Sequence, residues 1–119
     1  MKGRFMSQLS ELIEAYEKEY DALMENVRII KDSLSEASLY EQLAEECCEL
    51  AHACLKKARV LRGENPTPVT VEQASQNVIE ELTDICVASE VLGLYADTDM
   101  FWDKMERWAG RIHDTRSGS

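Results

Sequence analysis

The chain has little of what breaks a helix. Two prolines and five glycines occur in 119 residues, and both prolines, Pro66 and Pro68, fall together in RGENPTPVT (62–70). That stretch is the one clear internal break. Strand-type alternation of apolar and polar residues is absent over any useful length. Basic residues are also scarce, 13 against 23 acidic, for a net charge of −10. Such a surface disfavours polymeric nucleic acid and anionic membranes as partners. It does not exclude a small phosphorylated ligand, because a divalent cation reverses the local sign. No apolar run approaches the roughly 20 residues of a membrane span, and the N-terminal segment lacks the apolar core of a secretory signal. Neither CxxC nor HxxxH occurs, which leaves Cys48 and His52, one turn apart, as an incomplete soft-metal pair. The four cysteines (Cys47, Cys48, Cys54 and Cys86) lie inside apolar helical patterns. They read as reduced, buried packing thiols of a cytoplasmic protein.

What is present is helical periodicity. A first helix is expected from about Ser7 to Ser33, where Leu9, Ile13, Tyr16, Tyr20, Leu23, Val27, Ile30 and Leu34 recur at alternating spacings of four and three. A second is expected from Ser38, with SLYE as a capping box, to Arg62, with Gly63 as its stop. Its core side carries Leu39, Leu43, Cys47, Leu50, Cys54 and Leu61. A third should start at Thr70, where TVEQ offers a second box, and continue to about Tyr95. A fourth, shorter helix should follow Asp97 or Thr98, with Phe101, Met105, Trp108 and Ile112 as its stripe. The expected fold is one all-α domain over residues 1–119, an antiparallel bundle of about four helices, with 116–119 as a disordered or appended tail. Two long helices with long stripes offer more apolar surface than one chain of this size covers, so a homo-oligomer (a homodimer or homotetramer) is expected.

The chemistry sits in AEECCELAHACLKK (44–57) and in EELTD (80–84). At about 100° per residue, Glu46 and Glu49 stand one turn apart at the edge of the Leu43/Leu50/Cys54 stripe. Glu81 and Asp84 repeat that arrangement beside Ile79, Leu82 and Ile85. Like charges one turn apart are unfavourable on a helix, and two such pairs brought face to face are worse. A divalent cation removes the conflict, since Mg²⁺ takes hard oxygen ligands in octahedral geometry and keeps positions for water and phosphate. Plain surface charge accounts for either pair alone. The metal reading rests on two similar pairs on successive helices that can pack antiparallel. On the fourth helix, Lys104, Arg107 and Arg111 form a basic row beside the apolar stripe. Lys104 and Arg107 read equally as phosphate contacts or as complements of the helix dipole, and Arg111 reads more readily as the latter. Lys56 is a phosphate contact or a partner of Glu49 two turns away. Trp102, Trp108 and Tyr40 are aromatic candidates for stacking on a base, although aromatics at helical spacing more often belong to a core.

EECCE (45–49) followed by ELTD (81–84) resembles the EExxE…ExxD signature of the MazG-like, all-α nucleoside triphosphate pyrophosphohydrolase superfamily. The resemblance spans roughly residues 36–112 and extends to EELTDICVASEVLG and Lys56. The interval between Glu49 and Glu81 is long for the pattern, and the RGENPTP loop absorbs it. The resemblance implies Mg²⁺-dependent hydrolysis (with Mn²⁺ as a substitute) of a nucleoside triphosphate between its α and β phosphates, in a nucleotide-pool house-cleaning role. It implies Glu46, Glu49, Glu81 and Asp84 as metal ligands, with Glu45 or Glu49 orienting the attacking water. It also implies Lys56, Lys104, Arg107 and Arg111 as substrate contacts. A related alternative is phosphoribosyl-ATP pyrophosphohydrolase, but its aromatic-histidine pair is missing where DICVASEV stands. Outside enzymes, the alternative is a helical oligomerisation or adaptor module whose glutamates serve only solubility.

Overall fold

A computed structural model describes residues 2–64 and 68–118. Four α-helices follow one another: α1 (Lys2–Ser33), α2 (Glu36–Arg62), α3 (Val71–Leu92) and α4 (Thr98–Ser117). No strand occurs among the described residues. The all-α class and the number of helices agree with the sequence reading. Residues 65–67 of the RGENPTPVT break, Pro66 among them, lie outside the described residues.

Local chemistry sets the helix ends. Thr70 caps α3 with both halves of the box: the Gln73 backbone N–H donates to Thr70 Oγ1 (3.1 Å) and the Thr70 N–H donates to Gln73 Oε1 (2.9 Å). Asp97 caps α4 by accepting from the Met100 N–H at 2.8 Å. Gly63 ends α2 at φ 68°, a left-handed turn that side chains bearing a Cβ resist. Two boundaries differ from expectation. The cap of α2 is Ser35, whose Oγ accepts from the Ser38 N–H at 3.1 Å, so Ser38 lies inside the first turn and the box with Glu41 does not form. Starting about a turn earlier leaves Leu39 on a formed helix, where it is buried. The third helix stops at Leu92 rather than near Tyr95, because Gly93 turns left-handed at φ 69° and its N–H closes onto Glu90 O. Tyr95 then folds back, its hydroxyl donating to Glu90 Oε2 at 2.7 Å. At the other end of α4, Arg116 and Ser117 continue the helix and Gly118 is its C-cap.

The packing is concentrated in one place. The α2 and α3 helices lie against each other along their length, whereas α1 meets α3 over a short stretch and α4 packs along none of the others. The α2–α3 pairing is antiparallel: Leu39, Gln42 and Glu46 line one cavity with Val91, Ala88 and Asp84, so each step up α2 is a step down α3. Among the described residues, the buried side chains are Val27 (9% exposed), Leu39 (6%), Ala74 (1%) and Val91 (5%). The α1 stripe stays open through Ile13, Tyr16, Tyr20 and Leu23, as does the α4 stripe through Phe101, Met105, Trp108 and Ile112. The radius of gyration is 20.8 Å, whereas a compact domain of this length measures about 13–14 Å. The accessible surface is 10033 Å², whereas a compact monomer of this mass exposes about 6,600 Å².

The cysteines depart from expectation as well. All four are free thiols, but each is exposed rather than buried. Of the four, Cys86 lines the open apolar groove between α1 and α3.

Candidate functional site

The antiparallel register of α2 and α3 determines what the two acidic pairs do. Glu46 and Glu49 on α2 come opposite Glu81 and Asp84 on α3, and one carboxylate oxygen from each lies within 4.8 Å of all the others. Glu46 and Glu81 are half-buried at the helix interface, while Glu49 and Asp84 face solvent. Among the described residues this is the one group of three or more acidic, histidine or cysteine side chains placed to share an ion. Cys48 and His52 join no such group.

The hydrogen bonding inside the cluster is incomplete. Gln42 Nε2 donates to Glu46 Oε1 at 2.7 Å, but Glu46 Oε2 and Glu81 Oε2 are shielded from solvent and have no hydrogen-bond partner. Oxygens in that condition are expensive, because burial has removed their water and nothing replaces it. The Glu49 carboxyl is raised above its ordinary value, first by hydrogen bonding to Glu81 and then by that residue's negative charge. Desolvation and the charge of Asp84 add to the rise, and Glu46 opposes it as a hydrogen-bond partner. The protein thus responds to its own crowded carboxylates by favouring a proton at Glu49.

The donor set fits a hard divalent cation. In octahedral coordination at about 2.1 Å, adjacent ligand oxygens lie about 3.0 Å apart and opposite ones about 4.2 Å apart. Four oxygens within 4.8 Å of one another approach that spacing with small side-chain adjustments. The two orphaned oxygens would gain a partner of the right charge. Carboxylate oxygens alone favour Mg²⁺ or Mn²⁺ over softer metals.

The other expected site residues are not gathered there. Glu45 is exposed and stands outside the cluster. Lys56 lies on the same helix and is half-buried. Lys104, Arg107 and Arg111 share a shallow depression with Trp108 on α4. Since α4 does not pack along α2 or α3, one chain does not bring this basic row onto the carboxylates. Trp102 is exposed, its ring set edge-on to Phe101 at 5.5 Å. Trp108 and Tyr40 are exposed too.

Gln42 belongs to the site although sequence reasoning passed over it. The signal was there: it precedes Glu46 by one turn on the same helix, the spacing at which an amide reaches a carboxylate. Comparison with protein-family profiles, with curated proteins and with solved structures finds no match to the chain. The fold defines an all-α protein of four helices, and what it does must be argued from the carboxylate cluster.

Proposed function

We propose that this chain is a Mg²⁺-dependent nucleoside triphosphate pyrophosphohydrolase of the MazG-like, all-α kind. It cleaves a nucleoside or deoxynucleoside triphosphate to the monophosphate and pyrophosphate, in a house-cleaning role. One observation carries the reading: four carboxylates from two antiparallel helices converge within 4.8 Å, with two of their oxygens orphaned. A merely solvated acidic face would splay these side chains into water. Here the helix register pushes them together.

The metal's contribution, when bound, is to neutralise phosphate charge and to make a coordinated water more acidic. The chain's own residues do the rest. Glu46 and Glu81, half-buried and held by the α2–α3 packing, form the fixed floor of the site. Gln42 locks Glu46 in orientation through its 2.7 Å hydrogen bond. Glu49 and Asp84 face the solvent side from which a nucleotide arrives. Glu49 is the better placed of the two candidates for orienting the attacking water, since it belongs to the cluster and Glu45 does not. Its raised proton affinity makes it the more basic carboxylate, which suits it to accept a proton from that water. Lys56 and Arg107 remain the candidate contacts to the phosphates, whereas Lys104 and Arg111 border the α4 stripe.

The protein works as a homo-oligomer, a homodimer or homotetramer, joined through the α1 stripe. The support is the excess of exposed surface over a compact monomer, roughly 3,400 Å². That same exposed stripe is what a non-enzymatic oligomerisation module would show, so activity must separate the two. The experiment is a panel of standard and modified nucleotides, read by pyrophosphate release with Mg²⁺ and with EDTA. Release from at least one triphosphate, abolished by EDTA, is expected. Cleavage of phosphoribosyl nucleotides alone would move the protein to that other substrate class. No cleavage with any divalent metal would leave the oligomerisation module.

A further inference from the structure

We infer that α4 of one copy docks on the α1 stripe and the adjoining α1–α3 groove of a second copy, reciprocally, so that each chain's last helix completes the other's core. This rests on the homo-oligomer reading above and says what covers the stripe. The groove has a volume of about 540 Å³ and is walled mainly by Leu23, Val27 and Ile30 of α1 and Val87 and Val91 of α3, with Cys86 on its rim. It is an open core position: Val27 and Val91 are buried there while Leu23 and Val87 beside them are exposed.

Three observations select α4 of another copy as the occupant. First, α4 is left uncovered by its own chain: among the described residues it has no buried side chain and packs along no other helix. Its stripe of Phe101, Met105, Trp108 and Ile112 is nonetheless apolar, with Trp108 60% exposed. Second, the lengths match. Tyr16, Tyr20, Leu23 and Val27 on α1 and Phe101, Met105, Trp108 and Ile112 on α4 repeat the same four-three-four spacing. Either set spans about 17 Å of helix. Third, the flanks are complementary. Glu17 and Glu19 border the α1 stripe, and Lys104 and Arg111 border the α4 stripe; none of the four has an ion-pair partner among the described residues. Laid antiparallel, the two helices set Lys104 and Arg111 along the edge that carries Glu19, whereas α1 against α1 would set acid against acid.

The area argues the same way. A standard interface removes about 800 Å² per partner, far less than the roughly 3,400 Å² by which this chain exceeds a compact monomer. A single α1–α1 seam leaves most of that excess in water. Two reciprocal α4 contacts related by a twofold axis cover α1, α4 and the groove together.

Disulfide trapping with sedimentation tests this on the whole chain. In a background with Cys47, Cys48 and Cys54 changed to Ser, Cys86 at the groove is the one native thiol left. Phe101→Cys, Met105→Cys and Trp108→Cys are introduced singly on α4 and oxidised. At least one should give a reducible species of twice the 13.6 kDa chain, lost when Cys86→Ser is added. A link within one chain, or no link at any position, overturns the proposal. Sedimentation supplies the second readout: Lys104→Glu with Arg111→Glu should weaken the wild-type dimer at least about tenfold, and Glu19→Lys should restore it in part. An unweakened dimer overturns the α4 assignment and leaves oligomerisation standing. A wild-type chain that sediments at 13.6 kDa at micromolar concentration removes both.

Discussion

The α2–α3 hairpin and the α4 helix are built from similar material and fare differently. Both carry apolar stripes at helical spacing, both begin at a side-chain cap, and both border their stripes with like charges. The hairpin's stripes find each other, bury Leu39, Ala74 and Val91, and force four carboxylates into one cluster. The α4 stripe has no buried residue among those described, and its basic residues line an open surface. Charge at a stripe's edge becomes a site only where the stripe is buried, because burial removes the freedom of the charged groups to move apart.

The strongest way to break this comparison is to remove the hairpin's packing. Leu39→Ala should destabilise the fold by about 2–5 kcal/mol in a denaturant titration. Trp108→Ala on α4 should stay within about 0.5 kcal/mol when measured dilute enough that chains are separate. Comparable losses at both positions would mean that α4 belongs to the core of the single chain.

Next in size is the carboxylate cluster itself. Asp84→Asn should lower turnover by at least about 100-fold and remove the Mg²⁺-induced rise in Tm, with the helical CD signal unchanged. The same measurement on Arg107→Ala at the α4 surface should leave the metal-induced Tm shift intact. A shift retained in Asp84→Asn would dissociate metal binding from the cluster.

Capping gives a smaller contrast. Thr70→Ala breaks both hydrogen bonds of the α3 box and should cost about 1 kcal/mol of global stability. Asp97→Ala removes the α4 cap, and its effect should appear as local fraying in amide exchange rather than as global loss.

The finest effect is on pH. The Glu49 carboxyl is raised in the folded protein above its unfolded value, so its contribution to stability is full below the unfolded value and is lost as pH rises through the raised one. The metal-free protein should therefore gain Tm on acidification through that window, and Glu49→Gln should flatten the response. With Mg²⁺ present the sign reverses, because proton and metal compete for the same oxygens. An unchanged pH profile in Glu49→Gln would place the coupling elsewhere.

The sequence by itself determined the elements and the pairing of charges within each helix. Thr70, Asp97, Gly63 and Gly93 punctuate the chain through their own backbone chemistry, and the placement of Glu46 and Glu49, or of Glu81 and Asp84, one turn apart follows from the helical repeat alone. Ser38 reads as the α2 cap and Ser35 is the cap, because the two carry the same hydroxyl three residues apart and local signals of equal strength do not choose between themselves. Only the tertiary structure decided that the two acidic pairs meet and that the basic row of α4 does not join them. Within a helix, position follows from residue number, but between helices it depends on which apolar faces cover one another. Leu39, Ala74 and Val91 settle that for α2 and α3 by burial, whereas none of the described residues buries Phe101, Trp108 or Ile112.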